Sequence, residues 1–323
     1  MNGHVVALCG GVGGAKLAHG LAMALEPEEL SIIVNTGDDF QHLGLSISPD
    51  LDSVIYALAG LSDPVRGWGR RDETWKFMEA LKGLGGESWF QLGDRDLAMH
   101  VERSWRLAQG ANLSEVTAHF CSVLGIPSRV LPMSEDPVRT RVLTEEGWLD
   151  FQEYFVRRQC GPAVRSLMFA GAETAHAQPN ALAALTRPDV RAIIICPSNP
   201  FLSVEPILAV PDIRVAIQRS DAPVVAVTPI IAGKAIKGPA AKMMAELGLE
   251  VSGAVVARYY GDMIDGFIID QADPIPEPLR GIEFFRTATL MTNDDDRVRL
   301  ANAALQAADT LSGIAPGPIA GVL

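Results

Sequence analysis

The sequence predicts an α/β protein built on an open, mostly parallel sheet flanked by helices. Three observations point there. Short apolar runs, rich in Val and Ile, recur at residues 5–9, 30–35, 192–196, 224–227 and 267–270. Segments with helical spacing of apolar residues lie between them. Loops bearing Gly, Pro, Asn and Asp follow residues 9, 35, 196 and 227. In a parallel sheet such strand ends share one edge, where ligands bind.

In order along the chain, residues 5–9 read as a buried strand closed by glycine. Residues 15–25 read as its helix, with Leu17, Leu21 and Leu25 on one face and Pro27 beyond. A strand at 30–35 is followed by a helix at 51–59 that has Pro49 and Asp50 at its start. Residues 62–71 read as a loop, 74–84 as an amphipathic helix, and 94–109 as another. A helix at 113–124 takes Ser114 as its expected cap. The texture changes at about 129–170, where 138–144 and 149–156 flank Glu145-Glu146-Gly147 and read as a β-hairpin. One domain spanning 1–323 is expected, with this stretch inserted. Alternation resumes with a helix at 181–185, a strand at 192–196, a strand at 224–227 and a helix at 238–247. Strands at 251–258 and 267–270 and a helix at 297–311 complete the reading, with Asp294, Asp295 and Asp296 at that helix's positive end. Residues 313–321, rich in Gly and Pro, read as a loose tail.

With 323 residues, 48% hydrophobic and 20% charged, the composition is that of a globular core. A net charge of −12 argues against nucleic acid or an anionic membrane as partner. Cys9, Cys121, Cys160 and Cys196 form no Cys-x-x-Cys pair, so neither a zinc site nor a disulfide framework is written here. The N-terminus carries no basic-then-apolar leader, and no apolar run approaches the ~20 residues of a membrane span. A reducing cytoplasm is the expected location.

The chemistry concentrates in the first 52 residues. Gly10-Gly11-Val12-Gly13-Gly14-Ala15-Lys16 follows the first strand. Glycines let backbone amides approach a phosphate, and the following helix offers its positive end. Standard patterns fail, however. A dinucleotide fingerprint needs glycine where Lys16 stands, and a P-loop needs glycine at Ala15 and Ser or Thr at Leu17. Asp38, Asp39, Asp50 and Asp52 sit on two neighbouring loops and could hold magnesium, which takes one or two carboxylates plus substrate phosphates. Helix capping and turn chemistry also suit Asp at such positions. Asp94-Arg95-Asp96, Pro197-Ser198-Asn199-Pro200, and Thr228 with Gly233, Lys237 and Gly238 are further polar loops at predicted element ends. His42 lies in the acidic loop and could enter the site; no histidines show metal spacing. No Gly-x-Ser-x-Gly elbow surrounds Ser198 or Ser203, which argues against a serine hydrolase.

The ordered set of motifs resembles the 2-phospho-L-lactate transferase family, which builds the deazaflavin coenzyme F(420). The set comprises residues 10–16, Asn35-Thr36-Gly37-Asp38-Asp39, Ser48-Pro49-Asp50-Leu51-Asp52, Leu92-Gly93-Asp94-Arg95-Asp96, Leu131-Pro132-Met133-Ser134, Pro197–Pro200 and Thr228-Pro229-Ile230-Ile231. The resemblance implies a Rossmann-like core, a homodimer and a magnesium requirement. It implies two small-molecule substrates: a guanosine diphosphate carrying a three-carbon acid as donor, and the deazaflavin Fo (7,8-didemethyl-8-hydroxy-5-deazariboflavin) as acceptor. Attack of the ribityl hydroxyl on the outer phosphorus would release GMP and form F(420)-0 or its dehydro form. On this resemblance Gly10, Gly11, Gly13, Gly14, Lys16, Pro197, Ser198, Asn199 and Thr228 would hold the nucleotide. Asp38, Asp39, Asp50 and Asp52 are candidates for the metal. The same four are candidates for contact with the acceptor hydroxyl, and Asp50, Asp52 and Arg95 are the catalytic candidates; Asp94 and Arg95 would help place Fo, and Arg95 could also sense phosphate. Trp68 and Trp75 lie where an apolar slot for the acceptor ring would be, although core packing would also explain them. Val12 stands where relatives often have Thr, so any hydroxyl contribution there is absent. Two rival readings are a nucleotide-sugar-binding regulator of the gluconeogenesis-factor-like type and a nicotinamide-dependent oxidoreductase. Asn35, rather than an acidic residue, ends the second strand, which counts against the latter.

Overall fold

The computed structural model describes residues 3–235 and 238–313. The chain opens with strand β1 (His4–Cys9), helix α1 (Gly11–Ala24) and strand β2 (Leu30–Val34). A small hairpin follows, β3 (Phe40–His42) with β4 (Leu45–Ile47), and then α2 (Pro49–Leu58), α3 (Lys76–Gly83), α4 (Asp94–Ala108) and α5 (Leu113–Val123). Strand β5 (Arg129–Pro132) precedes a three-stranded antiparallel sheet of β6 (Arg139–Thr144), β7 (Gly147–Asp150) and β8 (Ser166–Ala170). Then come α6 (Pro179–Leu185), β9 (Val190–Ile195), α7 (Glu205–Leu208), α8 (Pro211–Gln218) and β10 (Val224–Val227). A two-residue ribbon pairs β11 (Ile230–Ile231) with β12 (Lys234–Ala235). The chain continues through α9 (Ala240–Glu246), α10 (Gly253–Tyr260), β13 (Gly266–Asp270), β14 (Glu283–Thr287) and α11 (Asp294–Leu311).

Seven strands form the main sheet in the order β14-β13-β10-β9-β1-β2-β5. Every pairing in it is parallel, as expected of an α/β fold with both faces covered. The alternation of side chains along β1 shows the layering. Val5, Ala7 and Cys9 pack with Leu17, Leu21, Val54, Phe120 and Leu300 of α1, α2, α5 and α11. Val6 and Leu8 face the other way, into a layer with Leu185, Leu208, Ile213, Met243 and Val256 of α6 to α10. Among the described residues no helix is long and apolar enough to cross a membrane.

From β1 the sheet grows outward through β2 to β5, and the chain then returns to add β9, β10, β13 and β14 on the opposite side. The direction of winding therefore reverses between β1 and β9. Such a switch point leaves a crevice beyond the carboxyl ends of the two strands, and ligands bind there.

Several elements differ from the sequence expectation. Helix α1 begins at Gly11 rather than at residue 15, so the glycine turn is the helix's own first turn. Helix α10, at Gly253–Tyr260, stands where the sequence predicts a strand at 251–258. Ser252 caps it by accepting the Val255 amide, and the buried positions Gly253, Val256, Ala257 and Tyr260 follow helical spacing. Asn112, not Ser114, caps α5, and Glu115 reaches back to complete a capping box. Residues 129–132 are the sheet's edge strand β5, so the inserted sheet starts after Pro132. The second strand of its hairpin ends at Asp150, and the chain then turns helical at 151–157. The hairpin β3–β4, helices α7 and α8, and strand β14 have no counterpart in the sequence expectation. Lys237 and the tail from residue 314 onward lie outside the described residues.

Candidate active site at the switch point

A cavity of about 630 Å³ opens at this switch point. Gly10, Gly11, Val12 and Gly13 after β1 line it, as do Pro197, Ser198 and Asn199 after β9. The two loops interlock at the backbone. A Cβ on Gly13 would stand 2.4 Å from the Pro197 carbonyl oxygen, and one on Gly14 would stand 2.4 Å from Ser198 Oγ. The Gly10 amide donates to Ser198 Oγ at 3.2 Å. Gly11 has φ +62°, in the left-handed region that favours glycine. These glycines therefore serve close packing of one ligand loop on the other, before any phosphate is considered. Asn199 holds its loop in shape by accepting the Phe201 and Leu202 amides at 3.0 and 3.3 Å.

Asp50 stands at the start of α2 and reaches across to α1. Its Oδ1 accepts the Gly11 amide at 2.7 Å, and its Oδ2 accepts Asn35 Nδ2 at 2.9 Å. Burial pushes its carboxyl up to about 6, against the lowering effect of those two hydrogen bonds. Asp38 also lines the cavity, and its Oδ1 is buried without a hydrogen-bond partner. Burial raises its carboxyl well above the usual range, and the charge of Asp50 raises it further.

Asp52 lines the same wall but is committed to a buried ion pair. Arg103 of α4 grips both its oxygens, with Nη1 3.1 Å from Oδ2. Arg103 Nη1 also donates to the Ser46 carbonyl at 3.3 Å and lies 3.2 Å from His100 Nδ1. His100 Nε2 in turn lies 3.3 Å from Asp96 Oδ2, and Tyr56 donates its hydroxyl to Asp96 Oδ1. Burial pushes Asp96 up, but His100 and Tyr56 outweigh it and hold this carboxyl below its ordinary value. Tyr56, Asp96 and His100 all line the cavity.

Other residues singled out from the sequence lie elsewhere. Asp39 is buried beside the cavity without lining it; it accepts from Ser48 Oγ at 2.8 Å, and burial raises it to about 7. Asp94 and Arg95 are not in the lining. Asp94 caps α3, accepting from Thr74 Oγ1 and from the Lys76 and Phe77 amides at 3.2 and 3.0 Å. The Arg95 side chain is on the exposed surface. Thr228 is buried in a turn of its own, exchanging hydrogen bonds with Ile230, whereas Pro229 beside it reaches the cavity. His42 packs against Phe90 and Trp89 at ring separations of 5.7 and 5.0 Å and stays out of the lining. Lys16 does line the cavity and donates to the Met291 carbonyl at 2.8 Å.

The apolar lining was largely unforeseen. Phe90, Phe151, Phe155 and Tyr56 contribute to it, and so does Trp68. Phe151 and Phe155 belong to the helical turn after β7 and stack at 5.2 Å with their planes 13° apart. Their i, i+4 spacing, and that of Asp96 and His100, was the signal available in the sequence. The inserted sheet is tied to the acidic loop at its base, where the Thr140 amide donates to the Gly37 carbonyl at 2.8 Å.

Magnesium fits this donor set. Among the described residues no three His, Cys, Asp or Glu side chains gather as a metal group. A magnesium ion needs only one or two carboxylates when the substrate brings phosphates. Asp38 Oδ1 is a buried acceptor lacking a donor, and the charge of Asp50 adds to the cost of ionising Asp38, which a cation between substrate and protein would relieve.

Comparison with known proteins finds relatives along nearly the whole chain. A family model described as 2-phospho-L-lactate transferase CofD matches residues 5–311. A phosphoenolpyruvate transferase of Kitasatospora aureofaciens is 42% identical over 94% of this chain and 98% of its own. The 2-phospho-L-lactate transferases of Methanosarcina mazei and Methanopyrus kandleri are each 39% identical, over 94% and 97% of this chain and 100% of theirs. A crystal structure of a UPF0052-family protein of Bacillus halodurans superposes with a TM-score of 0.60 at 18% identity, covering 94% of this chain and 99% of that one. At that identity the likeness concerns the fold alone.

Proposed function

The chain belongs to the 2-phospho-L-lactate transferase CofD family, and from that premise we propose that it joins a phosphorylated three-carbon acid, carried on GDP, to the ribityl hydroxyl of the deazaflavin Fo. GMP would leave, and F(420)-0 or its dehydro form would result. The observation that carries this reading is the union, in one cavity at the switch point, of two interlocked glycine and proline loops, two buried carboxylates and an aromatic wall. Relatives of nearly equal identity bear the names of phosphoenolpyruvate and 2-phospho-L-lactate transferases, so both acids, and phosphoglycerate, remain donors to be compared. A homodimer in a reducing cytoplasm accords with the family reading and with the four free thiols.

The residues divide the work. The Gly10–Gly13 surface, Lys16 and the Pro197–Asn199 turn cradle the nucleotide. Asp38 and Asp50 would hold magnesium, whose chemistry is to neutralise charge on the phosphate oxygens. Asp52, fixed by Arg103, presents a carboxylate edge that can take a hydrogen bond from the acceptor hydroxyl. The aromatic wall excludes water from the acceptor's side.

The test is direct. The protein is incubated with Fo, magnesium and each GDP-linked acid in turn, and GMP and a deazaflavin phosphodiester are sought by mass spectrometry. Both products are expected with at least one donor. No GMP from any donor sinks the reading; tight nucleotide-sugar binding without turnover would favour the regulator instead.

A further inference from the structure

Trp68 is the most exposed of the aromatic residues that line the cavity. Tyr56 and Phe151 are buried and Phe155 is 37% exposed, whereas 48% of the Trp68 surface is exposed. It rides on a loop between α2 and α3 that closes on itself. The Arg71 amide donates to the Leu61 carbonyl at 2.8 Å, that of Asp63 to Gly69 at 3.1 Å, and that of Gly67 to Asp63 at 2.9 Å. The Asp63 carboxylate accepts the Val65 and Arg66 amides at 2.8 and 3.0 Å. Gly67 and Gly69, on either side of Trp68, have φ of +74° and +68°, so only glycine sits there without strain.

The indole is also braced from behind. It meets Trp75 edge-on at 6.4 Å, and the Arg66 guanidinium lies 4.5 Å from the Trp75 ring centroid. Trp75 immediately precedes α3, whose first amides Asp94 caps. In the opposite direction Glu73 caps α4 by accepting the Arg95 and Asp96 amides, both at 2.8 Å. The two helix starts thus cap one another, and this clasp holds the loop that presents Trp68.

A tryptophan braced this firmly, yet left half in water at a cavity wall, gains its full burial only when something flat covers it. We propose that Trp68 is the specificity-determining residue for a planar fused-ring acceptor, which stacks on the indole. This inference rests on the acceptor named under the proposed function. A stacking contact of this kind selects by shape, since it requires a flat π-face.

Trp68→Leu and Trp68→Phe test it in the full-length enzyme with magnesium. In Trp68→Leu the KM for Fo rises roughly tenfold or more, while the KM for the GDP-linked donor and the thermal midpoint stay at the unsubstituted values. Trp68→Phe restores most of the affinity for Fo. A purely structural role would move both KM values together and would not be rescued selectively for Fo by Phe. An unchanged KM for Fo in Trp68→Leu, or a parallel rise in both KM values, overturns the inference and leaves the transferase reading standing. Failure of the unsubstituted enzyme to bind Fo at all overturns both.

Discussion

Asp50 gathers more of the site's physics than any other side chain. It ties the start of α1 to the end of β2 through Gly11 and Asn35, and it lines the cavity. Its ionisation is costly because it is buried, as is that of Asp39. An acid whose folded pKa is raised gives stability that is complete below its unfolded value near ~4 and is lost as pH rises through the folded value. With folded values of about 6 and 7 for Asp50 and Asp39, the metal-free protein is expected to lose thermal stability between about pH 4 and pH 7. A drop of roughly 5 °C in the melting midpoint is the scale to look for by calorimetry. Asp50→Asn should flatten that dependence while cutting turnover by roughly a hundredfold or more; a midpoint that rises with pH would contradict the assignment. Asp50 and the Gly10–Gly14 turn were legible in the sequence because their signals are local: an Asp beside a helix start and glycines beside a strand end. The partner of Asp52 was not, since Arg103 lies 51 residues away on another helix and nothing nearby in the chain announces it.

At the scale of elements, the clasp between α3 and α4 gives Asp94 a fastening role at the edge of a motif whose Asp96 lines the cavity. Gly93 belongs to the clasp as well, because a Cβ there would meet the Glu73 carboxyl carbon at 2.3 Å. Asp94→Ala and Glu73→Ala each remove a helix cap, at about 1 kcal/mol apiece. Because the two caps share one junction, the double substitution is expected to cost measurably less or more than their sum in a denaturant cycle. Strict additivity would mean the two ends are fastened independently. Element types were read well where periodicity ran long, as in α4 and α11, and where buried strands were closed by glycine or proline. The expectation failed at α10, where a short apolar run is compatible with strand or helix and only the cap at Ser252 decides. It also failed at the start of α1, because glycine is a poor helix former and the contacts that draw Gly11–Gly14 into the helix come from Asp50, Pro197 and Ser198.

Taken whole, the molecule places its site at the reversal of the sheet, and this much followed from four polar loops after four apolar runs. The wall supplied by the insertion did not follow, since Phe151 and Phe155 reach the cavity only through a turn that the hairpin expectation covered over. Strand β1 lies near the middle of the sheet, flanked on both sides and buried on both faces. Its amides are therefore expected to exchange with solvent only on global unfolding, and more slowly than those of the edge strands β5 and β14. Comparable exchange at β1 and β14 would show that the sheet opens in parts. The same placement has a consequence for the chain as it is made. Val5–Leu8 pair with Ala192–Ile195, and Lys16 bonds to the Met291 carbonyl, so the first strand synthesised waits for nearly the last third of the protein before its site can close. At ordinary rates of about 5–20 residues per second β9 follows β1 by roughly 10–40 s, during which an apolar strand lacking its second neighbour is a natural client for a chaperone.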